Sequence, residues 1–230
     1  MNDTAREAPV LLCDLDGTLV DSLPDLAAAI AELLDQEGRP GLTHEAVAAM
    51  VGDGVPKLIE RALAATGGVP AKAALAALVA RYMPIYEARL TRLTRPYPGA
   101  IETLRALKAA GWRLAVCTNK PEAPSRTIVA ELGFEGLFEA VSGGDSLPVK
   151  KPDPGHLLGL IEVLGAAPGA TVMLGDSRND VQAARAAGLP VIAIAHGYGG
   201  TPAQELGADR VIESFDELPA ALAALGFGAA

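Results

Sequence analysis

The stretch that decides the fold is Val10-Leu11-Leu12-Cys13-Asp14-Leu15-Asp16-Gly17-Thr18-Leu19. Its apolar first part, Val10 to Cys13, predicts a buried strand of a sheet that is covered on both faces. The strand runs out into two carboxylates, and because side chains alternate along a strand, Asp14 and Asp16 start on one face. Two anions held close together raise one pKa unless a cation lies between them. The stretch therefore predicts either a divalent metal site or a division of acid and base roles between the two aspartates.

The composition is typical of an ordinary globular protein and excludes several classes of function. Half of the 230 residues are hydrophobic and only 4% are aromatic, so aliphatic side chains fill the core. The formal net charge is −9 and the chain has no run of Lys or Arg, which argues against a nucleic-acid partner. The chain contains no run of about 18 apolar residues, so no membrane span is predicted. Residues 1–8 lack the apolar centre of a signal peptide and are predicted to form a short flexible tail. Two cysteines form no disulfide framework, which favours a cytoplasmic setting.

Helical periodicity dominates the segment after the first strand. Apolar spacing predicts helices over 25–37, 45–51, 56–65 and 71 to about 93, with residues 21–24 and Thr43 as helix starts. Gly52-Asp53-Gly54 interrupts the pattern. Residues 21–95 are therefore predicted to form a helical domain without a strand.

The two prolines of Pro96-Tyr97-Pro98-Gly99 mark the clearest boundary in the chain, because they stiffen it and disfavour helix before them. After it, strands and helices alternate. The predicted strands are 113–117, 140–142, 171–174, 191–195 and 211–212, and the predicted helices are 101–110, 122–132, 155–164, 178–187 and 218–225. Such alternation predicts an α/β fold with a parallel sheet. Residues 1–20 and 96–230 form its core, and residues 21–95 are an inserted cap.

Polar residues cluster where the predicted core strands end. Thr118, Asn119 and Lys120 follow one strand, and Asp176 and Asp180 follow another; Lys151 precedes a helix. Because ligands of open parallel sheets bind beyond the carboxyl ends of the strands, we expect these side chains to share one site with the first motif. Each feature is ordinary by itself, but all of them fall at the same predicted edge.

The residue types suggest an attack on a phosphoryl group. A carboxylate such as Asp14 attacks directly, and Asp16 can donate a proton to the leaving oxygen and later take one from water. The charge of a phosphoryl group beside these carboxylates calls for Mg²⁺, with Asp14, the Asp16 carbonyl and Asp176 as oxygen ligands.

The remaining polar residues would bind and organise the transferred group. Thr118 and the Asn119 amide supply neutral donors and Lys151 supplies a charge for the phosphoryl oxygens. Asp180 lies one helical turn beyond Asp176 and faces the same way, so it either contacts the metal through water or holds Lys151.

The predicted cap is where a substrate would be selected. Gly52 and Gly54 can expose backbone amides as a nest for a second anion such as a carboxylate, and Lys57 in the next helix can assist. An anionic Asp53 would repel that group, so we expect it to point away. The open alternative is a plain helix connection with Lys57 in solvent.

Four motifs, in this order, resemble those of the haloacid dehalogenase superfamily of phosphotransferases. They are Asp14-Leu15-Asp16-Gly17-Thr18, Thr118-Asn119-Lys120, Lys151-Pro152-Asp153-Pro154 and Gly175-Asp176-Ser177-Arg178-Asn179-Asp180. The resemblance implies a Rossmann-like core with a C1-type helical cap inserted after the first motif. It also implies Asp14 as the phosphorylated nucleophile, Asp16 as the general acid and base, Thr118 and Lys151 as phosphoryl ligands, and Asp176 as a Mg²⁺ ligand.

Within that superfamily, the sequence is similar to the bacterial phosphoglycolate phosphatases over nearly its whole length, for example at 20–26, 51–54 and 143–154. The implied activity is Mg²⁺-dependent hydrolysis of a small phosphorylated acid, 2-phosphoglycolate, through an aspartyl phosphate. Relatives that cleave pyrophosphate, nucleotides or sugar phosphates leave the substrate open. The expected partner is a small metabolite, with neither nucleic acid nor membrane, and the chain is expected to be a monomer or a homodimer. A signalling receiver that is phosphorylated without turnover is disfavoured by the insertion and by Asp16.

Overall fold

The computed structural model describes residues 8–198 and 200–227, so residues 1–7 of the predicted tail lie outside the described residues. The strands are β1 (Val10–Cys13), β2 (Val20–Asp21), β3 (Arg95–Pro96), β4 (Arg113–Cys117), β5 (Ala140–Ser142), β6 (Thr171–Gly175), β7 (Val191–Ile194) and β8 (Arg210–Ile212). The helices are α1 (Leu23–Gln36), α2 (His44–Ala48), α3 (Val55–Ala65), α4 (Lys72–Glu87), α5 (Ala100–Ala109), α6 (Glu122–Glu131), α7 (Gly155–Leu164), α8 (Arg178–Ala186) and α9 (Leu218–Leu222).

Six of the strands form one parallel sheet in the order β5-β4-β1-β6-β7-β8. The first strand lies at the centre, with Cys13 in register with Val116 of β4 and Leu174 of β6. The chain therefore builds outward on one side of β1 and then returns to build on the other, which makes the end of β1 a topological switch point. The predicted α/β class with a parallel sheet is confirmed.

Two apolar cores cover the two faces of the sheet. Leu12, Ala115 and Met173 pack with residues of α7 and α8 on one face. On the other face, Leu11 and Val116 belong to a core that includes residues of α5, α6 and α9 and continues into helices α1, α3 and α4. Burial on both faces explains why the central strands read as continuous apolar runs.

The segment between β2 and β3 is helical, but its ends differ from the prediction. Val20 and Asp21 pair antiparallel with Pro96 and Arg95. The segment that enters the helical region and the segment that leaves it therefore form a two-stranded ribbon. The prediction of no strand over residues 21–95 was therefore wrong at both ends, because two-residue strands are too short to show periodicity. The division into two domains stays a prediction.

A buried carboxylate fastens the far end of this helical segment to its beginning. Asp25, in the first turn of α1, accepts hydrogen bonds from the amides of Leu93 and Thr94 and from the Thr94 hydroxyl, at 2.9, 2.8 and 2.7 Å. These bonds satisfy a buried anion and hold the chain where it leaves the helices.

The predicted helix starts have different outcomes. Thr43 caps α2 as predicted, since its hydroxyl accepts from the Ala46 amide. Ser22 precedes α1 but makes no side-chain cap. The hydroxyl of Tyr198 takes that place and accepts from the amides of Ser22 and Leu23 at 2.5 and 3.0 Å.

In the described part of the chain, no helix has both the length and the apolar character needed to span a bilayer.

Candidate active site

The carboxyl ends of β1, β4 and β6 bring the predicted motifs to one edge of the sheet. Asp14 comes directly after β1, and its amide extends the ladder by donating to the Leu174 carbonyl at 2.9 Å. Thr118 follows β4, and Asp176 follows β6. The register of three adjacent strands thus places Asp14 close to two side chains that follow it in sequence by more than a hundred residues.

Three buried carboxylates meet there. One carboxylate oxygen from each of Asp14, Asp176 and Asp180 lies within 4.8 Å of the other two. Burial raises the pKa of Asp14 to about 6, with Lys151 acting in the opposite direction. Burial, followed by the charge of Asp14, raises the pKa of Asp176 well above its ordinary value. A cluster of hard oxygen donors that is costly to keep charged fits a divalent cation such as Mg²⁺.

Neighbouring groups orient Asp176 within this cluster. Its Oδ1 accepts from the Thr18 hydroxyl at 2.8 Å, and its Oδ2 accepts from the Tyr198 amide at 3.1 Å. Gly17, at φ +81°, approaches so closely that an added Cβ would lie 2.5 Å from Asp176 Oδ2. Gly17 therefore supplies both a left-handed turn and the space that the carboxylate occupies.

Lys151 is fixed by three acceptors in the interior. Its Nζ lies 3.1 Å from Asp14 Oδ1 and donates to Asp180 Oδ1 at 2.6 Å and to the Cys117 carbonyl at 2.7 Å. Although burial opposes its charge, Asp14 and Asp180 raise the pKa of Lys151 above its ordinary value. Of the two roles open for Asp180, the structure places it in direct contact with Lys151. Its other oxygen accepts from the amide and the hydroxyl of Ser177, which fixes the side chain.

Uncommitted donors surround the end of β1. The backbone amides of Asp16 and Asn119 make no hydrogen bond to any described residue. The Thr118 hydroxyl lies beside Asp14 and lowers the pKa of that carboxyl. Oriented amides at strand ends form anion-binding concavities. Together with Lys151, these donors can bind the oxygens of a phosphoryl group.

Asp16 has two polar partners to which sequence reasoning assigned no role at this site, and one of them contacts a third such residue. Lys120 Nζ donates to its two oxygens at 2.9 and 3.0 Å, and the Ser22 hydroxyl donates to Oδ1 at 2.5 Å. The Lys120 ammonium also donates to the hydroxyl of Tyr86 on α4. Lys120 belongs to the motif Thr118-Asn119-Lys120, which is the signal that could have found it, whereas Tyr86 reads only as part of an apolar helix face.

The loop of residues 52–54, which joins α2 to α3, is tied to the sheet by hydrogen bonds. The Gly52 carbonyl accepts from the side-chain amides of Asn119 and Asn179 at 2.9 and 3.2 Å. Lys150 Nζ donates to the Asp53 carbonyl at 2.5 Å. The Asp53 carboxylate accepts from Asn179 at 2.8 Å and from Arg61. The loop therefore closes over the site in this structure.

A cavity of about 40 Å³ lies between the loop and the acidic cluster. On the sheet side it is lined by Asp14, Asp16, Thr118, Asn119 and Lys120, and on the helical side by Leu26, Val51, Gly52, Gly54, Val55, Leu58 and Tyr86. This volume has room for only a few groups of the size of a water molecule.

The residues predicted to select the substrate thus lie in two different places. Gly52 and Gly54 line the cavity, whereas Lys57 lies in a wider outer cleft with Asp53 and Arg61 and pairs with Glu60 at 2.9 Å. Lys57 sits in the first turn of α3, and the packing of that helix turns its buried face, with Leu58, toward the cavity. The structure does not bring Lys57 together with Asp14.

Comparisons with known proteins agree with this geometry. A family model described as haloacid dehalogenase-like hydrolase matches residues 9–188. The chain is 43% identical over 211 residues to a phosphoglycolate phosphatase of Cereibacter sphaeroides (strain ATCC 17029), covering 92% of this chain and 96% of the relative. It is 42% identical to a phosphoglycolate phosphatase of Caulobacter vibrioides, covering 90% and 88% of the two chains.

A solved structure is similar in three dimensions as well. The crystal structure of a predicted phosphoglycolate phosphatase from Haemophilus somnus 129PT superposes with a TM-score of 0.87 at 33% identity, over 91% of this chain and 96% of that one. With the motifs, the sheet order and the acidic cluster in agreement, the predicted family is confirmed: this chain belongs to the haloacid dehalogenase-like hydrolases.

Proposed function

We propose that this hydrolase is a Mg²⁺-dependent phosphomonoesterase that converts 2-phosphoglycolate to glycolate and phosphate. The observation that carries the proposal is the placement of Asp14 3.1 Å from Lys151 Nζ and within 4.8 Å of the carboxylates of Asp176 and Asp180. That arrangement supplies a nucleophile, a cation for the phosphoryl oxygens and a set of oxygen ligands at one point. The names of the relatives in Cereibacter and Caulobacter support the substrate.

Asp14, Asp176 and the backbone carbonyl of Asp16 would hold the metal ion. When bound, Mg²⁺ would neutralise charge on the phosphoryl group and let it approach the carboxylates. Asp180 Oδ1 accepts the shortest hydrogen bond that the Lys151 ammonium makes, at 2.6 Å, so the role we assign to Asp180 is to orient Lys151.

The first step forms a bond from Asp14 to phosphorus. Asp14 Oδ1 accepts from the Leu15 amide at 2.7 Å and faces Lys151, which leaves Oδ2 as the attacking atom. As that bond forms, the bond from phosphorus to the ester oxygen breaks, and Asp16 transfers a proton to the leaving oxygen. Thr118, the free amides of Asp16 and Asn119, and Lys151 stabilise the charge on the phosphoryl oxygens.

The second step releases phosphate. Asp16, now deprotonated, takes a proton from water as that water attacks phosphorus. The bond from phosphorus to Asp14 breaks, and the free carboxylate of Asp14 and the protonated Asp16 are restored. The closed loop limits the water available to the intermediate.

Other properties of the chain enter as parts of this proposal. Residues 1–20 and 96–230 act as the catalytic core, and residues 21–95 act as a cap that selects a small substrate. Cys13 and Cys117 are free and packed in cores on opposite faces of the sheet, which supports a reducing, cytoplasmic setting. The protein works as a monomer or a homodimer.

The test is phosphate release from a panel of esters, with Mg²⁺ and with chelator, by the wild type and by Asp14→Asn. We expect 2-phosphoglycolate to be the best substrate, and we expect chelator and Asp14→Asn each to abolish turnover. Release from no ester would exclude a phosphatase. Faster release from nucleotides, sugar phosphates or pyrophosphate than from 2-phosphoglycolate would reassign the substrate.

A further inference from the structure

We propose that Lys120 recognises the carboxylate of the substrate and thereby selects phosphorylated acids over neutral phosphate esters. This inference rests on the proposed function and identifies the residue that binds the carboxylate, which is the end of the substrate that does not react. The predicted nest at Gly52 and Gly54 supplies only neutral amides for that task.

The first support is charge. Of the described residues that line the cavity, Lys120 is the only cation. Lys151, the nearby buried ammonium, is not among the residues that line this cavity, and Lys150 donates to the carbonyl of Asp53 from the outer cleft. A carboxylate that enters this cavity therefore meets one ammonium, which it would share with Asp16.

The second support is the character of the opposite wall. On the helical side, Leu26, Val51, Val55 and Leu58 face the cavity with apolar side chains. Burying an anion against such a surface is strongly unfavourable unless a cation compensates it. The side chain of Lys120 is only 2% exposed, so its charge acts where water screens it little.

The third support is distance. Lys120 Nζ lies 2.9 and 3.0 Å from the two oxygens of Asp16, the residue proposed to protonate the leaving oxygen. In 2-phosphoglycolate the carboxylate carbon is two bonds from that leaving oxygen. A group so close to the reacting atoms falls within reach of the same ammonium, and acids with a longer spacer would place it further away.

The Tyr86 hydroxyl completes the site from the helical side. It accepts a hydrogen bond from Lys120, and its own proton has no acceptor among the described residues. A substrate carboxylate would supply that acceptor. Because Tyr86 lies on α4, the carboxylate would be bound jointly by the sheet and by the helical segment.

The test compares two esters of matched size, 2-phosphoglycolate and 2-hydroxyethyl phosphate, which differ in the carboxylate. We measure kcat/KM for both with Mg²⁺ in the wild type and in Lys120→Met. We expect the wild-type preference for 2-phosphoglycolate to fall by about 100-fold in Lys120→Met, as for removal of one partner of a buried charge pair. Lys120→Arg, which keeps the charge and guards against a folding defect, should keep most of the preference.

Two control variants separate the outcomes. Lys72→Met, an exposed substitution at the start of α4, should change neither rate. Equal losses on both esters in Lys120→Met would mean that Lys120 serves only to orient Asp16, and would overturn the inference while leaving the proposed function intact. Loss of the preference in Lys57→Met with its retention in Lys120→Met would also overturn it. A wild type that hydrolyses neither ester would overturn the proposed function itself.

Discussion

The side-chain amide of Asn119 donates a hydrogen bond of 2.9 Å to the backbone carbonyl of Gly52. Asn119 stands at the end of β4, and Gly52 belongs to the loop that closes over Asp14, so one bond joins the catalytic edge of the sheet to the helical segment. Asn179 makes a second connection to the same carbonyl. The closed loop is thus held by polar contacts.

Asn179→Ala should weaken closure without touching the acidic cluster. It removes the bonds to the Gly52 carbonyl and to the Asp53 carboxylate, 3.2 and 2.8 Å long. At about 1 kcal/mol for the pair, we expect kcat/KM to fall roughly 5-fold, mainly through a higher KM. Steady-state kinetics of Asn179→Ala and Asp53→Asn, alone and combined, check this. Effects that add fully in the double variant would show that the two side chains do not act together.

Asp16→Ala should reveal the proton donor through the leaving group. For 2-phosphoglycolate, whose alkoxide leaves poorly, we expect kcat to fall by about 10² to 10⁴. For p-nitrophenyl phosphate, which needs no proton on its leaving group, the first step should be much less affected. Burst and steady-state kinetics on both esters measure the difference. Asp14→Asn is the comparison, and it should abolish both reactions; a uniform loss in Asp16→Ala would contradict the assigned role.

Gly17→Ala should lower the free energy of unfolding by more than its backbone strain alone would. Gly17 and Gly38 both have positive φ, +81° and +65°, but an added Cβ meets Asp176 at 2.5 Å in the first and nothing within 4 Å in the second. Gly38→Ala should therefore show the left-handed penalty alone, about 1 kcal/mol. Gly17→Ala should add a steric cost of similar or larger size and lower the affinity for Mg²⁺. Urea unfolding and metal titration of both variants measure these effects, and equal unfolding free energies would contradict the prediction.

His156 should make the protein less stable in mild acid. Burial, with the charge of Lys151, lowers its pKa to about 4, while an unfolded histidine has a pKa of about 6.5. At pH values between these two pKa values, His156 is protonated in the unfolded chain but neutral in the folded chain. The free energy of unfolding therefore falls as the pH falls.

The matched variant for this prediction is His156→Gln, which keeps a polar end near Ser142, the ring's present partner at 3.0 Å. Relative to the variant, the wild type should lose about 2 kcal/mol of unfolding free energy between pH 7 and pH 5. Urea unfolding at several pH values measures this difference. Parallel curves for the two proteins would contradict it.

The sequence alone determined the sheet and the reactive edge. The run Val10–Cys13 is apolar throughout, and Arg113–Cys117 is apolar after its first residue, because a strand buried on both faces needs no polar position. The structure ends both strands at the predicted residues. The carboxyl ends of parallel strands must share an edge, so the positions of Asp14 and Asp176 just after predicted strands were enough to predict that they lie together.

Tertiary structure alone decided the partners of those polar side chains that contact a different element of the fold. Ser22 looks like a helix cap by its position, yet its hydroxyl donates to Asp16, and Tyr198, 176 residues away from Ser22, caps the helix. Lys120 and Tyr86 meet only because α4 packs over the end of β4. Local periodicity encodes which face of an element is apolar, but the polar contacts between elements depend on how those faces dock. The proposed carboxylate site at Lys120 and Tyr86 is made of such contacts.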